Sequence, residues 1–520
     1  MTNQNTILRG DNALQDKTNE TVNMAINNIP KGEDTMKNNR TDNIPKGENT
    51  MGNKSTNNTS NNTTNNTNNN RKAGKEIMKN TKKQEANGIP MRILAHNQYV
   101  SNNDIATGLN NNDLIIGGSG AGKTGGYVIP NVKQQYGSMI VTDTKGNLHK
   151  KLRKELKEAG YEVKVLDFVH PEQSCGYNPF DYIRRDEQGN YREKDVVSLA
   201  NTLCPVLDSK EPFWEMTART VLQFLIGFTM EYFPEEEQNL STVLEVYKEV
   251  AKSNPEMKMF FKDWTTKHPD SFASRKYRMF AGCKDADKTW SCVMQFVGTA
   301  IDCFEFSDIQ PMIKNQNEVF RIETLGRKKT VLFLNVSDTD RAFDKLVNIF
   351  YTQALQVLCD EADANENSRL DVPVRFFLDD FAANVYIENF DKIISVIRSR
   401  NISVSVILQS MTQLEAMYRE ASAATIVNNC DHIVYLGGQD MKTARFIGAR
   451  INKTEDKVLE KPLDKVYILT AGAQGVLADK FKPYTEIQRV LEPEREKVVN
   501  AKTENVAQNN TINETDKEVL

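Results

Sequence analysis

Leu114-Ile115-Ile116-Gly117-Gly118-Ser119-Gly120-Ala121-Gly122-Lys123-Thr124 is the stretch whose reading decides the fold. Three apolar residues run into G-x-x-x-x-G-K-[ST], the P-loop pattern, placed directly after a strand as its mechanism demands. Glycines there let backbone N–H groups turn inward and wrap a triphosphate. Gly117, Gly118, Ser119, Gly120, Ala121, Gly122, Lys123 and Thr124 are therefore the candidate nucleotide-binding residues. Lys123 is placed to reach the β- and γ-phosphates and the Thr124 hydroxyl to hold Mg²⁺, so ATP and Mg²⁺ are the expected ligands. A chance match is rare, and rarer once the preceding strand is required.

Downstream, the helix after Thr124 is imperfect, because Gly125, Gly126 and Pro130 are poor helix formers. A short or kinked first helix is expected. Residues 138–143 read as a buried strand ending on Asp143, 147–159 as a helix rich in Lys and Leu, and 161–168 as another strand. Strand, helix, strand at this spacing is a βαβ unit and predicts a mostly parallel sheet in an α/β fold. Ligands then belong at the carboxyl ends of the strands, where Gly117, Asp143 and Asp167 fall.

A P-loop needs a second, acidic strand end: an Asp for Mg²⁺ and a neighbouring carboxylate for the attacking water. Arg375-Phe376-Phe377-Leu378-Asp379-Asp380 supplies it. An apolar run followed by Asp is common alone; after a P-loop and a βαβ unit it reads as the Walker B strand, with Thr124 and Asp379 as metal ligands. Gln409 closes the next strand, 402–408, where an amide can sense the γ-phosphate; the bland alternative is a satisfied loop residue. Arg398 and Arg400 end the intervening helix. Either is a candidate finger acting in trans, or simply a cation at a helix C-terminus. Lys123, Asp379, Asp380, Gln409, Arg398 and Arg400 are thus the candidate catalytic residues.

At 520 residues the chain exceeds one ordinary hydrophobic core. Its net charge of −4 argues against coating nucleic acid by bulk charge, without excluding a channel lined by a few basic residues. Seven scattered cysteines without CxxC spacing suit a reducing compartment and offer no zinc site. No apolar run approaches the roughly 20 residues that span a bilayer, so the chain reads as soluble and cytoplasmic. Residues 1–88 form an Asn/Thr-rich tail too poor in apolar groups to fold, containing the repeated segment 28–36 and 43–51. The nucleotide-binding domain is expected in two parts, 89–185 and 319–490, followed by a polar tail, 491–520. Residues 186–318 change period and read as an all-α insertion, with helices over 196–203, 214–233, 240–251, 256–265 and 289–303. Phe213, Trp214, Phe224, Phe228, Trp264 and Trp290 are expected to fill its core rather than to stack bases, the alternative use of such aromatics. A long helix, 341–362, and strands 329–336, 372–378, 402–408 and 432–436 complete the reading.

The ordered set of motifs resembles the conjugative coupling proteins of type IV secretion. It comprises the P-loop, Asp143-Thr144-Lys145-Gly146, Asn178-Pro179-Phe180, Phe213-Trp214-Glu215, Leu378-Asp379-Asp380-Phe381-Ala382, the segment 397–410 and Tyr435-Leu436-Gly437-Gly438. The resemblance spans roughly residues 91–493. It implies a RecA-like P-loop ATPase with an inserted all-α domain, assembled as a homo-hexamer. Such rings link a relaxase–DNA complex, the relaxosome, to the channel proteins at the membrane and drive single-stranded DNA out of the cell. Two features depart from the family. Asp380 stands where Glu is usual and is about one methylene shorter, so ATP binding is expected to survive while turnover falls. The Asn-rich tail stands where many members carry transmembrane helices, so attachment to the inner face of the membrane is expected through a partner. Competing readings are an ATP-binding docking platform with weak hydrolysis and a chromosome-partitioning type of double-strand translocase. The second is disfavoured by the short polar stretch after Pro493, and a small-molecule kinase by the lack of a legible lid.

Overall fold

The computed structural model describes residues 88–492 apart from 207–209, 253–254 and 382–385. The expected N-terminal tail with its repeat, Ala382 of the acidic motif and the tail beyond 492 lie outside the described residues. A hairpin comes first, β1 (Arg92–Ala95) with β2 (Gln98–Val100). The P-loop strand β3 (Asp113–Gly117) follows, then β4 (Ser138–Asp143), helix α1 (Leu148–Glu158) and β5 (Glu162–Asp167). Among the described residues the elements between β5 and β6 (Thr330–Asn335) are helical: α2 (Glu193–Leu203), α3 (Phe213–Tyr232), α4 (Leu240–Ala251), α5 (Pro255–Lys267), α6 (Phe272–Ala281) and α7 (Asp287–Ile301), with short helical turns between. Then come α8 (Asp344–Ala364), β7 (Val374–Leu378), β8 (Ile402–Leu408), α9 (Met411–Asn428), β9 (His432–Gly437), α10 (Met441–Ile451), β10 (Lys465–Thr470) and β11 (Val476–Asp479).

Nine strands form one sheet in the order β11-β10-β9-β3-β8-β7-β4-β6-β5. The seven from β9 to β5 are parallel; β10 and β11 continue the sheet antiparallel. The mostly parallel α/β sheet is thus as expected. Strands β3, β4, β6 and β7 are buried along their whole length, as covering on both faces requires, whereas the edge strand β5 carries the partly exposed Glu162 and Lys164. Successive residues alternate between faces. Leu114, Ile116, Leu332, Leu334, Phe376 and Leu378 join the inserted helices and α8 in one apolar cluster. Ile115, Val331, Phe333 and Phe377 join Tyr127, Val128 and the Leu148, Leu152 and Leu156 stripe of α1 in the other.

Several local expectations needed correction. Strand β7 begins at Val374 rather than Val372, because Pro373 has no N–H for the ladder and Val372 N instead donates to Gly326 O. Helices α6, α9 and α10 and strands β10 and β11 are not anticipated by the sequence reading; the two strands are short and peripheral, with weak period-2 patterning. Phe213 is half exposed rather than in the core, its ring edge-on to Trp214; Phe224, Phe228, Trp264 and Trp290 are buried as expected. Among the described residues no helix is long and apolar enough to cross a membrane.

The amino ends of the central strands enclose charge. Asp113 Oδ2 lies 2.7 Å from Arg92 Nε, 3.4 Å from Arg375 Nη1 and accepts from the Tyr127 hydroxyl at 2.5 Å. Arg92 Nη1 also donates to Asn102 and Asn111, and Arg375 Nη1 to Ser405 Oγ. All three ionic side chains are buried, so one carboxylate answers two guanidiniums and clamps the hairpin to the sheet. Asp113→Ala leaves both cations uncompensated and is expected to cost about 3–5 kcal/mol of unfolding free energy, read from denaturant midpoints.

Candidate functional site

At the carboxyl end of β3 the chain turns through the P-loop with Gly120 at φ 73° and Gly122 at φ 95°, a region that side chains with a Cβ rarely adopt. Thr124–Val128 then form a single π-turn, continued by a short α-turn, Ile129–Lys133. This is the kinked first helix that Gly125, Gly126 and Pro130 predict. Lys123 is buried and folds back on the loop, donating to Gly117 O at 2.9 Å, with its ammonium 3.7 Å from Asp380 Oδ1.

The acidic tip of β7 meets this loop. Thr124 Oγ1 donates to Asp379 Oδ2 at 2.5 Å, although β8 separates the two strands in the sheet. Burial pushes the Asp379 carboxyl up to about 6; the Thr124 bond opposes that shift and the Asp380 charge adds to it. Asp380 takes a left-handed backbone, φ 50°, and its Oδ1 is buried without a hydrogen-bond partner. An orphaned carboxylate oxygen, a hydroxyl, a buried carboxylate and an ammonium converge here, the donor set that fits a magnesium-bound phosphate chain.

These groups line a cavity of about 340 Å³, together with Ser119 to Gly125, Gln409, Lys145 and Lys151. Lys123, Thr124, Asp379, Asp380 and Gln409, read separately from sequence, are therefore brought together. Arg398 and Arg400 are not. They precede β8, at the opposite end of the sheet from the loop. Arg400 makes a two-pronged bond to Asp363, 2.8 Å at each oxygen, and Arg398 Nη2 donates to Asp104 O. Asp143 borders the cavity, but its oxygens accept from the backbone N–H of Asn147, Leu148 and His149 and so cap α1. Asp167 is spent on Asn335 and its own turn.

Among the lining residues to which the sequence assigns no site role are Lys145, Lys151, Pro483 and Tyr484. Lys145 lies in the quoted stretch after β4 and Lys151 one turn into α1, where a basic residue has no distinctive pattern. Pro483 and Tyr484 belong to a polar stretch hundreds of residues from the loop. The indirect sign was the glycine pair. A Cβ on Gly125 would stand 2.9 Å from Pro483 Cβ, and one on Gly126 3.0 Å from Phe481 O.

Fold and cavity define a P-loop nucleotide-binding α/β protein in which an acidic strand tip faces the loop. The chain belongs to the family described as Type IV secretory system Conjugative DNA transfer, whose model matches residues 70–458. It is 24% identical over 357 residues to protein VirD4 of Rhizobium rhizogenes, covering 68% of this chain and 50% of that protein. Protein VirD4 of Agrobacterium fabrum is 24% identical over 344 residues, 65% and 49%. The chain thus spans about half the length of the curated relatives it matches. Among solved structures it is similar to plasmid coupling protein TrwB with the ATP analogue ADPNP, at TM-score 0.56 and 13% identity, covering 78% of this chain and 92% of that one. TrwB with ADP and Mg²⁺ gives TM-score 0.54 and 14% identity, 74% and 88%. These structures share the fold, a RecA-like one.

The site costs the fold stability, because a carboxylate is buried with a second acid beside it. Asp379→Asn keeps an acceptor for Thr124 and removes the charge. It is expected to stabilise the nucleotide-free protein by about 1 kcal/mol or more, and to abolish the rise in melting temperature given by Mg²⁺-ATP; thermal scans with and without the ligand check both.

Proposed function

We propose that this chain is the ATP-dependent coupling protein of a conjugative type IV secretion system, joining a relaxase–DNA complex to the channel and driving single-stranded DNA transfer. The observation that carries the site reading is the Thr124–Asp379 contact beside Lys123 in one cavity. Family membership supplies the setting. In this reading Thr124 and Asp379 would hold a magnesium ion, which would supply positive charge to the phosphate chain. Lys123 leaves Gly117 O and pairs with the β- and γ-phosphate oxygens. Asp380 orients the attacking water and takes its proton as the water oxygen bonds to the γ-phosphorus; the bond from that phosphorus to the bridging oxygen breaks, ADP and inorganic phosphate result, and Gln409 registers the loss of the terminal phosphate. A finger would come from a neighbouring copy in a homo-hexamer. Of the two arginines Arg398 suits that role better, since Arg400 is held from both prongs by Asp363.

The proposed place of work is the inner face of the cell membrane, reached through channel partners. Binding DNA through phosphate contacts makes its affinity steeply salt-dependent. DNA-stimulated ATP hydrolysis is expected in the unaltered protein and a fall of at least about 100-fold in Lys123→Ala. Equal activity in the two would remove the motor reading.

A second reading, an ATP-bound docking platform with little turnover, is favoured by one observation. The shortened acid Asp380 sits in left-handed backbone facing Lys123. If Asp380 is the working base, Asp380→Ala lowers turnover by about 100-fold or more. If the chain is a platform, Asp380→Ala changes nothing and Asp380→Glu gives a large gain.

A further inference from the structure

The segment after β11 does not leave the domain. Phe481 is buried against the π-turn, and Tyr484 N donates to Gly125 O at 3.3 Å. Glu486 pairs with Lys133 at 3.2 Å, and Val490 N donates to Gln134 Oε1 at 2.8 Å. Glu492 N then donates to Ile89 O, closing a strap along the helical turns that carry Lys123 and Thr124. Glycines make the room. At Gly122 a Cβ would meet Pro483 Cγ at 3.3 Å, and at Gly125 it would meet Tyr484 Cζ at 3.1 Å.

Within the cavity the strap lines the wall beside Gly122 and Gly125. Lys123, Asp379, Asp380 and Gln409 gather where the terminal phosphate belongs. Pro483 and Tyr484 lie against Gly122 and Gly125, in the loop whose backbone cradles the inner phosphates of a nucleotide. Tyr484 is 66% exposed and sits at φ 61°. For a bulky residue that backbone is an outlier, of the kind that collects at ligand clamps. Its ring lies 5.0 Å from the ammonium of Lys151, a second cavity-lining group from α1.

We infer that Pro483 and Tyr484 form the nucleoside subsite of this cavity, with the Tyr484 ring as a stacking platform for the base and Lys151 held beside it for the inner phosphate or ribose. An exposed aromatic ring at the mouth of a phosphate cradle offers a nucleobase its π-face, a contact that depends on ring area rather than on the pattern of base-edge donors. The inference rests on reading the cavity as a nucleotide site.

Calorimetric titration of the full chain with Mg²⁺-ATP and, separately, with Mg²⁺-tripolyphosphate tests it, since the second probe has phosphates and no base. Tyr484→Ala is expected to weaken ATP about tenfold and tripolyphosphate less than twofold, while Tyr484→Phe keeps both affinities. Tyr484 is exposed, so an unchanged melting temperature is expected to accompany the loss. ATP affinity unchanged in Tyr484→Ala, or an equal loss for both probes, would overturn the subsite. Failure of the unaltered protein to bind either probe would instead strike the nucleotide reading itself, and the subsite with it.

Discussion

One hydrogen bond, from the Thr124 hydroxyl to the Asp379 carboxylate, joins two strands that are not neighbours in the sheet. Strand β8 lies between β3 and β7, so their backbones stand roughly two inter-strand spacings apart, about 9.5 Å. Only the turn of the glycine-rich loop across the end of β8 can bring Thr124 over that gap. Everything at the site follows from this bridge. Beside it Lys123 faces Asp380, Gln409 ends the strand that lies between β3 and β7, and a cavity opens among all three. The parallel order of the sheet is what allows it, because parallel strands deliver all their carboxyl tips to one edge.

The opposite edge is organised by a different necessity. At the amino ends of β3, β7 and β8 the sheet buries Asp113 between Arg92 and Arg375, with Tyr127 and Ser405 completing the network. Tyr127 links the two edges physically, since it belongs to the π-turn that begins at Thr124 yet reaches Asp113 at the other end of β3. A charge cluster of this kind adds little net stability over an apolar replacement but penalises any arrangement that leaves a partner out. It pins the hairpin, the P-loop turn and the acidic strand in one register.

The strap that ends the described chain supplies a third constraint on the same turn. Helix-poor Gly125 and Gly126 cost helical stability, yet a side chain at either would collide with Pro483 or the Phe481 carbonyl. Local propensity is sacrificed to a tertiary contact, and the contact falls at the nucleotide cavity. The turn at this contact is a π-turn, a helix widened by one residue.

Much of this was legible in the letters alone. The P-loop, the βαβ unit, the apolar strand ending in Asp379-Asp380 and the helical change of period after β5 are local patterns. Each is set by backbone geometry within a dozen residues, so each survives without knowledge of neighbours. The identity of the loop-facing acids followed because a phosphate site admits few residue types. What the letters could not carry was adjacency between distant segments. The antiparallel extension by β10 and β11, the partners of Asp113, the capping role of Asp143, the burial of Lys123 on Gly117 and the return of Pro483 and Tyr484 all depend on which elements lie side by side. That is decided by the packing of two apolar faces of one sheet, a property of the whole chain that no short window of sequence contains.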